Sequence, residues 1–278
     1  MPGTGKPGTG KPGKVRWHSV SSTREYEGCP RRYRFGYVER RPKDRPVPPS
    51  WRFGSVVHAA LEAAWKAAMD APDGTPVHEH LPVALEALDA ALVKEGLDGD
   101  EDRERGIDVV TRALEFDVVR DQALDPDADL PPARPVGVEE ALRGRIDQQH
   151  RIIGFVDLVL ERPDGVIELV DHKVTSRRAT PDELHDDFQL NLYGQLARAR
   201  FPSATGIVAT HHYPTGPDAV SVRLDEDAMA RAELRVRDAA RAIAADTEFA
   251  PVTSERCRHC PWQPSCPEGT EWVEDHGS

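Results

Sequence analysis

Along the first half of the chain the apolar positions repeat with a helical period. Val57, Leu61, Ala64, Trp65 and Ala68 recur at the spacing that lines one side of a helix. Leu81, Leu85, Leu88 and Leu92 do the same ahead of Gly96, a residue suited to a left-handed C-cap. Ile107, Val110, Leu114 and Val118 mark a third helix, so residues 51–124 read as helical. Beyond Pro135 the period falls to two, and VGVEEALRGRI, HRIIGFVDLVLE and GVIELVDHKV predict three consecutive strands. Thr180-Pro181-Asp182-Glu183 is a capping box with Pro at the first helical position, and Leu184, Phe188, Leu192 and Leu196 carry one helix from it. TGIVATHHY and VSVRL read as two further strands, Asp225 caps an Ala/Arg-rich helix running to about Ala245, and residues 249–278 read as Cys- and Pro-bearing coil. The order predicts an α/β fold, one domain over residues 15–278 with a helical insertion near 70–125.

Composition narrows this little. A chain of 278 residues suits two units or one domain with a large insertion, and 38% apolar residues with 21 Gly is a globular composition. No run of 18 apolar residues occurs and the first fourteen residues lack the apolar core of a secretory signal, so a soluble cytoplasmic protein without a membrane partner is expected. Those residues, 1–14, repeat PGTGK and predict a disordered tail. They contain Gly5-Lys6-Pro7-Gly8-Thr9-Gly10-Lys11, close to a phosphate-binding loop. Pro12 stands where a Ser or Thr must hold magnesium and no strand precedes, which excludes an ATPase of that type.

Charge changes the picture more. Residues 1–45 hold 12 Lys/Arg against 4 Asp/Glu, in a chain whose net charge is −12, so the remainder carries −20. Indiscriminate coating of nucleic acid is excluded, but a local strip of Arg31, Arg32, Arg34, Arg40, Arg41, Lys43 and Arg45 is either a solvated face or a grip on phosphates.

Arg162-Pro163-Asp164-Gly165 has the chemistry of a three-residue hairpin loop with a Gly bulge. If Arg162 pairs with Val166, Asp157 falls opposite Asp171, and Lys173 points to the same side as Asp171. Opposed carboxylates ask for a cation, and their hard oxygens suit Mg²⁺ or Mn²⁺, with Lys173 able to orient a water or offset negative charge. This pattern fits metal-assisted phosphodiester hydrolysis. The alternative is an ordinary Asp171/Lys173 surface pair in a register slipped by one residue.

Gly154-Phe155-Val156-Asp157, Asp171-His172-Lys173 and Gln189-Leu190-Asn191-Leu192-Tyr193 resemble the GxxD, (D/E)xK and QxxxY motifs of the RecB-like branch of the PD-(D/E)XK nucleases. Gly54-Ser55-Val56-Val57-His58 is similar to that branch's GxxxH helix, and Ser19-Val20-Ser21-Ser22 through Cys29-Pro30-Arg31-Arg32-Tyr33 to its N-terminal CPRRY segment. The resemblance runs in order from about Ser19 to Cys266. It implies a restriction-endonuclease-like core, a central mixed sheet flanked by helices. It also implies metal ligation by His58, Asp157, Asp171 and the His172 carbonyl, with Lys173 catalytic and Gln189 and Tyr193 holding the site or the DNA strand. Glu139 matches loosely an acidic position of some relatives. Without the resemblance, His58 would read as a packed helix histidine. Arg31, Arg32 and Tyr33 become the expected DNA contacts.

Cys29 and Cys257-x2-Cys260-x5-Cys266 in a cytoplasmic chain read as a metal site rather than disulfides, and their spacing suits zinc and iron-sulfur alike. The same arrangement in the CRISPR-associated and AddB-type members of the branch implies a 4Fe-4S cluster stapling the N-terminal segment to residues 249–270. His259 reads as a bystander, His211 and His212 as strand residues near the active-site edge without an assigned role, and His78 and His80 as a polar first turn. The leading expectation is a metal-dependent DNA exonuclease acting on single strands or ends in repair, recombination or CRISPR-type processing. No helicase motif is present, so unwinding would fall to a partner. A degenerate module that holds DNA ends for a helicase or nuclease partner is the alternative, and a zinc-bearing regulatory protein a remoter one.

Overall fold

The computed structural model describes residues 15–45, 49–72, 75–124, 133–216 and 218–277. The predicted tail at residues 1–14 lies outside the described residues. In chain order the elements are β1 (Arg16–His18), α1 (Val20–Gly28), α2 (Pro30–Tyr33), α3 (Pro49–Asp70), α4 (Leu81–Glu95), α5 (Asp100–Leu124), β2 (Arg134–Arg145), β3 (His150–Glu161), β4 (Val166–His172), α6 (Pro181–His185), α7 (Phe188–Arg200), β5 (Gly206–Tyr213), β6 (Asp218–Arg223), α8 (Glu226–Ala245) and α9 (Pro267–Asp275). The predicted caps form: Gly96 closes α4 at φ 65°, Thr180 and Glu183 make a reciprocal capping box, and Asp225 accepts from the Ala228 amide.

Two expectations need correction. The helix predicted from Thr180 through Leu196 is two helices, α6 and α7. The apolar period runs on through Leu184 and Phe188, but the Asp187 carboxylate accepts the Leu190 amide as a new N-cap and Asn191 donates to the carbonyls of His185 and Asp187. Asp187→Ala is expected to cost about 1 kcal/mol in urea unfolding, the usual loss for an N-cap carboxylate. The C-terminal coil also contains order: 3-10 turns at Glu255–His259 and Gln263–Ser265 lead into α9, which starts on Pro267.

A mixed six-stranded sheet runs β1-β3-β4-β5-β6, with β2 on the other edge of β3. β1 is parallel to β3 and β4 is parallel to β5, while β2–β3, β3–β4 and β5–β6 are antiparallel. Helices cover both sides. Phe188, Leu192 and Leu196 of α7 and Met229 and Val236 of α8 bury against Ile152, Val156, Ile167, Leu169 and Ile207. Val57 and Leu61 of α3, Leu88 and Leu92 of α4 and Val110 and Leu114 of α5 bury against Leu158, Leu160 and Val170. The helices near 70–125 thus form one wall of the core.

The turn after β3 is the predicted one. Arg162 donates its amide to the Val166 carbonyl at 2.9 Å, and Gly165 takes φ 80°, a conformation a side chain would strain. The register follows, with Leu158 opposite Val170. That pair ends the ladder. β1 joins the same edge of β3 only at His150–Ile152, so residues 153–157 have no strand partner there, and the gap opens where Asp157 and Asp171 stand.

Candidate active site

Asp157 and Asp171 meet across this gap but are held from different sides. The His172 amide donates to Asp157 Oδ2 at 2.7 Å, and His58 Nδ1 from α3 lies 3.4 Å from the same oxygen. Gln189 on α7 donates from Nε2 to Asp171 Oδ1 at 3.0 Å, Lys173 Nζ stands 2.5 Å from Oδ2, and His211 Nε2 on β5 lies 3.5 Å away. Simple alternation put both carboxylates on one face. The structure departs from this because the alternation slips at Asp157: Ile152, Val156 and Val159 face α7, whereas Leu158 and Leu160 face α3.

The same row is distorted in β2. The pairs Val138–Leu158 and Glu140–Val156 place Glu139 opposite Asp157, and Glu139 has φ 50°. A non-glycine residue held there costs about 1–3 kcal/mol, the kind of strain that collects at functional sites. Its result is a tight group: ligand atoms of His58, Glu139 and Asp157 lie within 4.8 Å of one another. Sequence matching gave Glu139 the loosest claim, yet it joins this group more closely than Asp171 does. Its sequence signal was only one of two adjacent acidic residues, Glu139 and Glu140, in a strand that also carries Arg134, Arg143 and Arg145.

Electrostatics show crowded negative charge. Burial, reinforced by Asp157 and Glu62, raises the Glu139 pKa. Burial also raises that of Asp171, against the pull of Lys173 and with the push of Asp157. Asp157 ends below the usual range, because His58 and His172 outweigh its burial. Burial opposes protonation of His58, but the hydrogen bond to Asp157 and the charges of Asp157, Asp171 and Glu139 prevail and its pKa rises. His172 and His211 are pushed by burial down to about 4. The buried Asp171 Oδ2 makes no hydrogen bond of good geometry, Lys173 notwithstanding. The donor set of carboxylate oxygens and one imidazole fits a divalent cation.

A cleft beside the group is lined by Trp51, Gly54, Ser55, His58, Glu62, Glu139, Asp171, Lys173 and Thr175. Trp51, Ser55 and His58 recur along α3 at helical spacing, so the helix delivers its motif face to the cleft. Tyr193 packs its ring on Gly154, where an added Cβ would sit 2.4 Å from Cε1; the glycine of the GFVD motif therefore makes room for the tyrosine of the QxxxY motif.

The four cysteines come together although the sequence separates them. All are free thiols, and Cys29, Cys257, Cys260 and Cys266 line one cavity with Gly269. A Cβ on Gly269 would lie 3.4 Å from Cys266 Sγ and 3.8 Å from Cys257 Sγ, and the Val252 amide donates to Cys29 Sγ at 3.4 Å. The four sulfurs border one cavity, but among the described residues the group whose ligand atoms lie within 4.8 Å of one another is His58, Glu139 and Asp157, not the cysteines. The chain ends are also packed directly: Trp262 is buried and donates from Nε1 to the Pro42 carbonyl, and Tyr26 donates to Asp246.

This packing engages most of the basic strip. Arg31 donates to the Phe249 carbonyl and faces Glu268, Arg32 pairs with Glu25, Arg34 and Arg41 with Glu39, and Arg45 reaches the Arg258 carbonyl and Gln263. Tyr33 is buried, stacked on Tyr37 and Phe249. His211 stands beside Asp171, at the active-site edge where the sequence places it, whereas the buried His172–His212 contact at 2.9 Å had no signal in the sequence.

Comparison with known proteins agrees with this geometry. The sequence profile of the PD-(D/E)XK nuclease superfamily matches residues 18–267. The crystal structure of a "putative exonuclease" from Eubacterium rectale is similar in fold, with a TM-score of 0.50, 11% identity, and 87% of each chain covered. SSO0001 is a more distant solved structure, with a TM-score of 0.33, 12% identity, and 78% of this chain and 85% of that chain covered. No curated protein matches the sequence significantly. Among the described residues no helix is long and apolar enough to cross a membrane.

Proposed function

Because the chain belongs to the PD-(D/E)XK nuclease superfamily, we propose that it is a metal-dependent DNA exonuclease that hydrolyses phosphodiester bonds of single-stranded DNA or of DNA ends. The observation that carries this reading is that His58, Glu139, Asp171 and Lys173 line one cleft with Asp157 against His58 and Glu139, a concentration of acidic groups that a bound cation would offset.

His58, Asp157 and Asp171 would hold Mg²⁺ or Mn²⁺, with Glu139 as a further oxygen donor. A bound cation of this kind polarises a phosphoryl oxygen and makes a bound water easier to deprotonate. Lys173 supplies the fixed positive charge beside Asp171 and faces the phosphate that enters the cleft. Gln189 is a positioning residue: its amide fixes Asp171 Oδ1, while Lys173 stands against Oδ2. Tyr193 supports β3 from below through Gly154. Cys29, Cys257, Cys260 and Cys266 would hold a 4Fe-4S cluster, which tethers the chain ends. Arg31 and Arg32, each already facing one carboxylate, would contact the DNA backbone beside it, and Tyr33 packs the segment that carries them.

Incubation of end-labelled single-stranded, duplex and circular single-stranded DNA with and without Mn²⁺ tests the reading. Shortening of the linear single strand only with metal, and survival of the circle, are expected. Cleavage of the circle would make it an endonuclease, and no metal-dependent cleavage of any substrate would leave a DNA-end-binding module.

A further inference from the structure

One face of the sheet is left uncovered next to the cleft. Ile152 and Val156 of β3 are buried on the α7 side, and Gly154 sits under Tyr193, so Arg151, Ile153 and Phe155 point the other way. On that side the α3 wall begins at Leu158; before it Arg151 and Ile153 are half-buried and Phe155 is exposed. The register places Arg145 and Arg143 of β2 opposite Arg151 and Ile153, and Trp17 of β1 beside Arg151. Phe155 is 53% exposed and Trp17 46%.

The arginines on this face differ from those of the N-terminal strip. Arg143 bonds only to the Ala141 carbonyl, Arg145 to that of Asp147, and Arg151 to those of Asp147 and His150. Among the described residues none of the three pairs with a carboxylate, in a chain of net charge −12 that pairs most of its other arginines. Exposed aromatic rings between unpaired guanidiniums are a poor solution for a surface that meets only water.

We propose that this open face of the β2–β3 hairpin, with Trp17 at its far end, is a stacking platform that receives single-stranded nucleic acid and leads its end to the cleft. The proposal rests on the nuclease reading and deepens it by naming the substrate form. Aromatic faces bind any unpaired base, and guanidiniums track the backbone, whereas a duplex keeps its base faces stacked and unavailable. The geometry is directional. Phe155 lies two residues, about 7 Å, along β3 from Asp157, and the Arg151–Trp17 row about 20 Å from it. A strand laid along β3 therefore meets the carboxylates at one end.

Binding of the 278-residue chain to fluorescein-labelled oligothymidylate and to a closed hairpin duplex, both in EDTA, tests this. Phe155→Ala is expected to weaken single-strand binding roughly tenfold, with Phe155→Trp retaining it and duplex binding unchanged. An oligonucleotide with abasic sites should bind the wild type less well and Phe155→Ala no worse than the intact strand. Arg143→Gln with Arg151→Gln should flatten the slope of log affinity against log salt by about 1.4; this pair lies on the surface and serves if Phe155→Ala fails to fold. Unchanged single-strand affinity and salt slope would overturn the platform, and if Mn²⁺-dependent cleavage persists the nuclease reading stands without it. A Phe155→Ala protein that changes from dimer to monomer in sedimentation, with single-strand affinity intact, would mark the face as a self-interface and overturn the proposal equally.

Discussion

Asp157→Ala is expected to lower Mn²⁺-dependent cleavage by at least about a thousandfold, roughly 4 kcal/mol, while single-strand binding in EDTA stays within a few-fold of wild type. The separation follows from what Asp157 touches. It contacts His58 and the His172 amide at the break between β3 and β4, and no arginine of the open sheet face. Its removal leaves the His172 amide unpaired, a cost of about 1–3 kcal/mol, but also relieves its repulsion with Asp171 and Glu139. The melting temperature should therefore change little, and the lost rate cannot be ascribed to unfolding. End-labelled digestion beside a thermal melt measures both. Cleavage within tenfold of wild type, about 1.4 kcal/mol, would show that no essential metal ligand had been removed.

Cys29→Ala should bleach an anaerobic, brown protein containing about four irons per chain and lower its stability by ~2–4 kcal/mol. Cys29 lies before β2 and its three partner thiols after α8, so a shared cluster would close a loop that contains β2–β6, with β1 outside it. The chain-entropy estimate for disulfides gives by analogy about 5 kcal/mol for a loop this long. The fold tempers the loss, because Trp262, Tyr26 and Arg45 already bind the two ends together. The variant is expected to melt earlier yet remain folded, with weaker DNA binding through the displaced Arg31 and Arg32. Iron analysis, visible absorption and urea unfolding of the anaerobic proteins check it. Stoichiometric zinc without visible colour would replace the iron-sulfur assignment, and unchanged metal content and stability in Cys29→Ala would remove Cys29 from the ligand set.

The sequence by itself determined the local elements and one long-range relation. Helix and strand periods, the caps at Gly96, Thr180 and Asp225, and the turn at Pro163-Asp164-Gly165 are encoded within a few residues, where propensity and side-chain to backbone bonds decide. That turn fixed the register of β3 against β4, and so brought Asp157 level with Asp171. The mixed α/β sheet between helices follows from the order of the elements. What the sequence could not decide depends on contacts between distant segments. The break at Asp187 was hidden because apolar spacing continues across it, and α9 because prolines and cysteines mask a short helix. Glu139 joins His58 and Asp157 only because two strands distort in the same row and α3 crosses there. Most of the N-terminal arginines are engaged by the folded C-terminal segment and by nearby carboxylates, while Arg143, Arg145 and Arg151, unremarkable in the sequence, face solvent without a carboxylate among the described residues. The fate of a charged side chain is set by what the fold places opposite it, and that is a property of the tertiary structure alone.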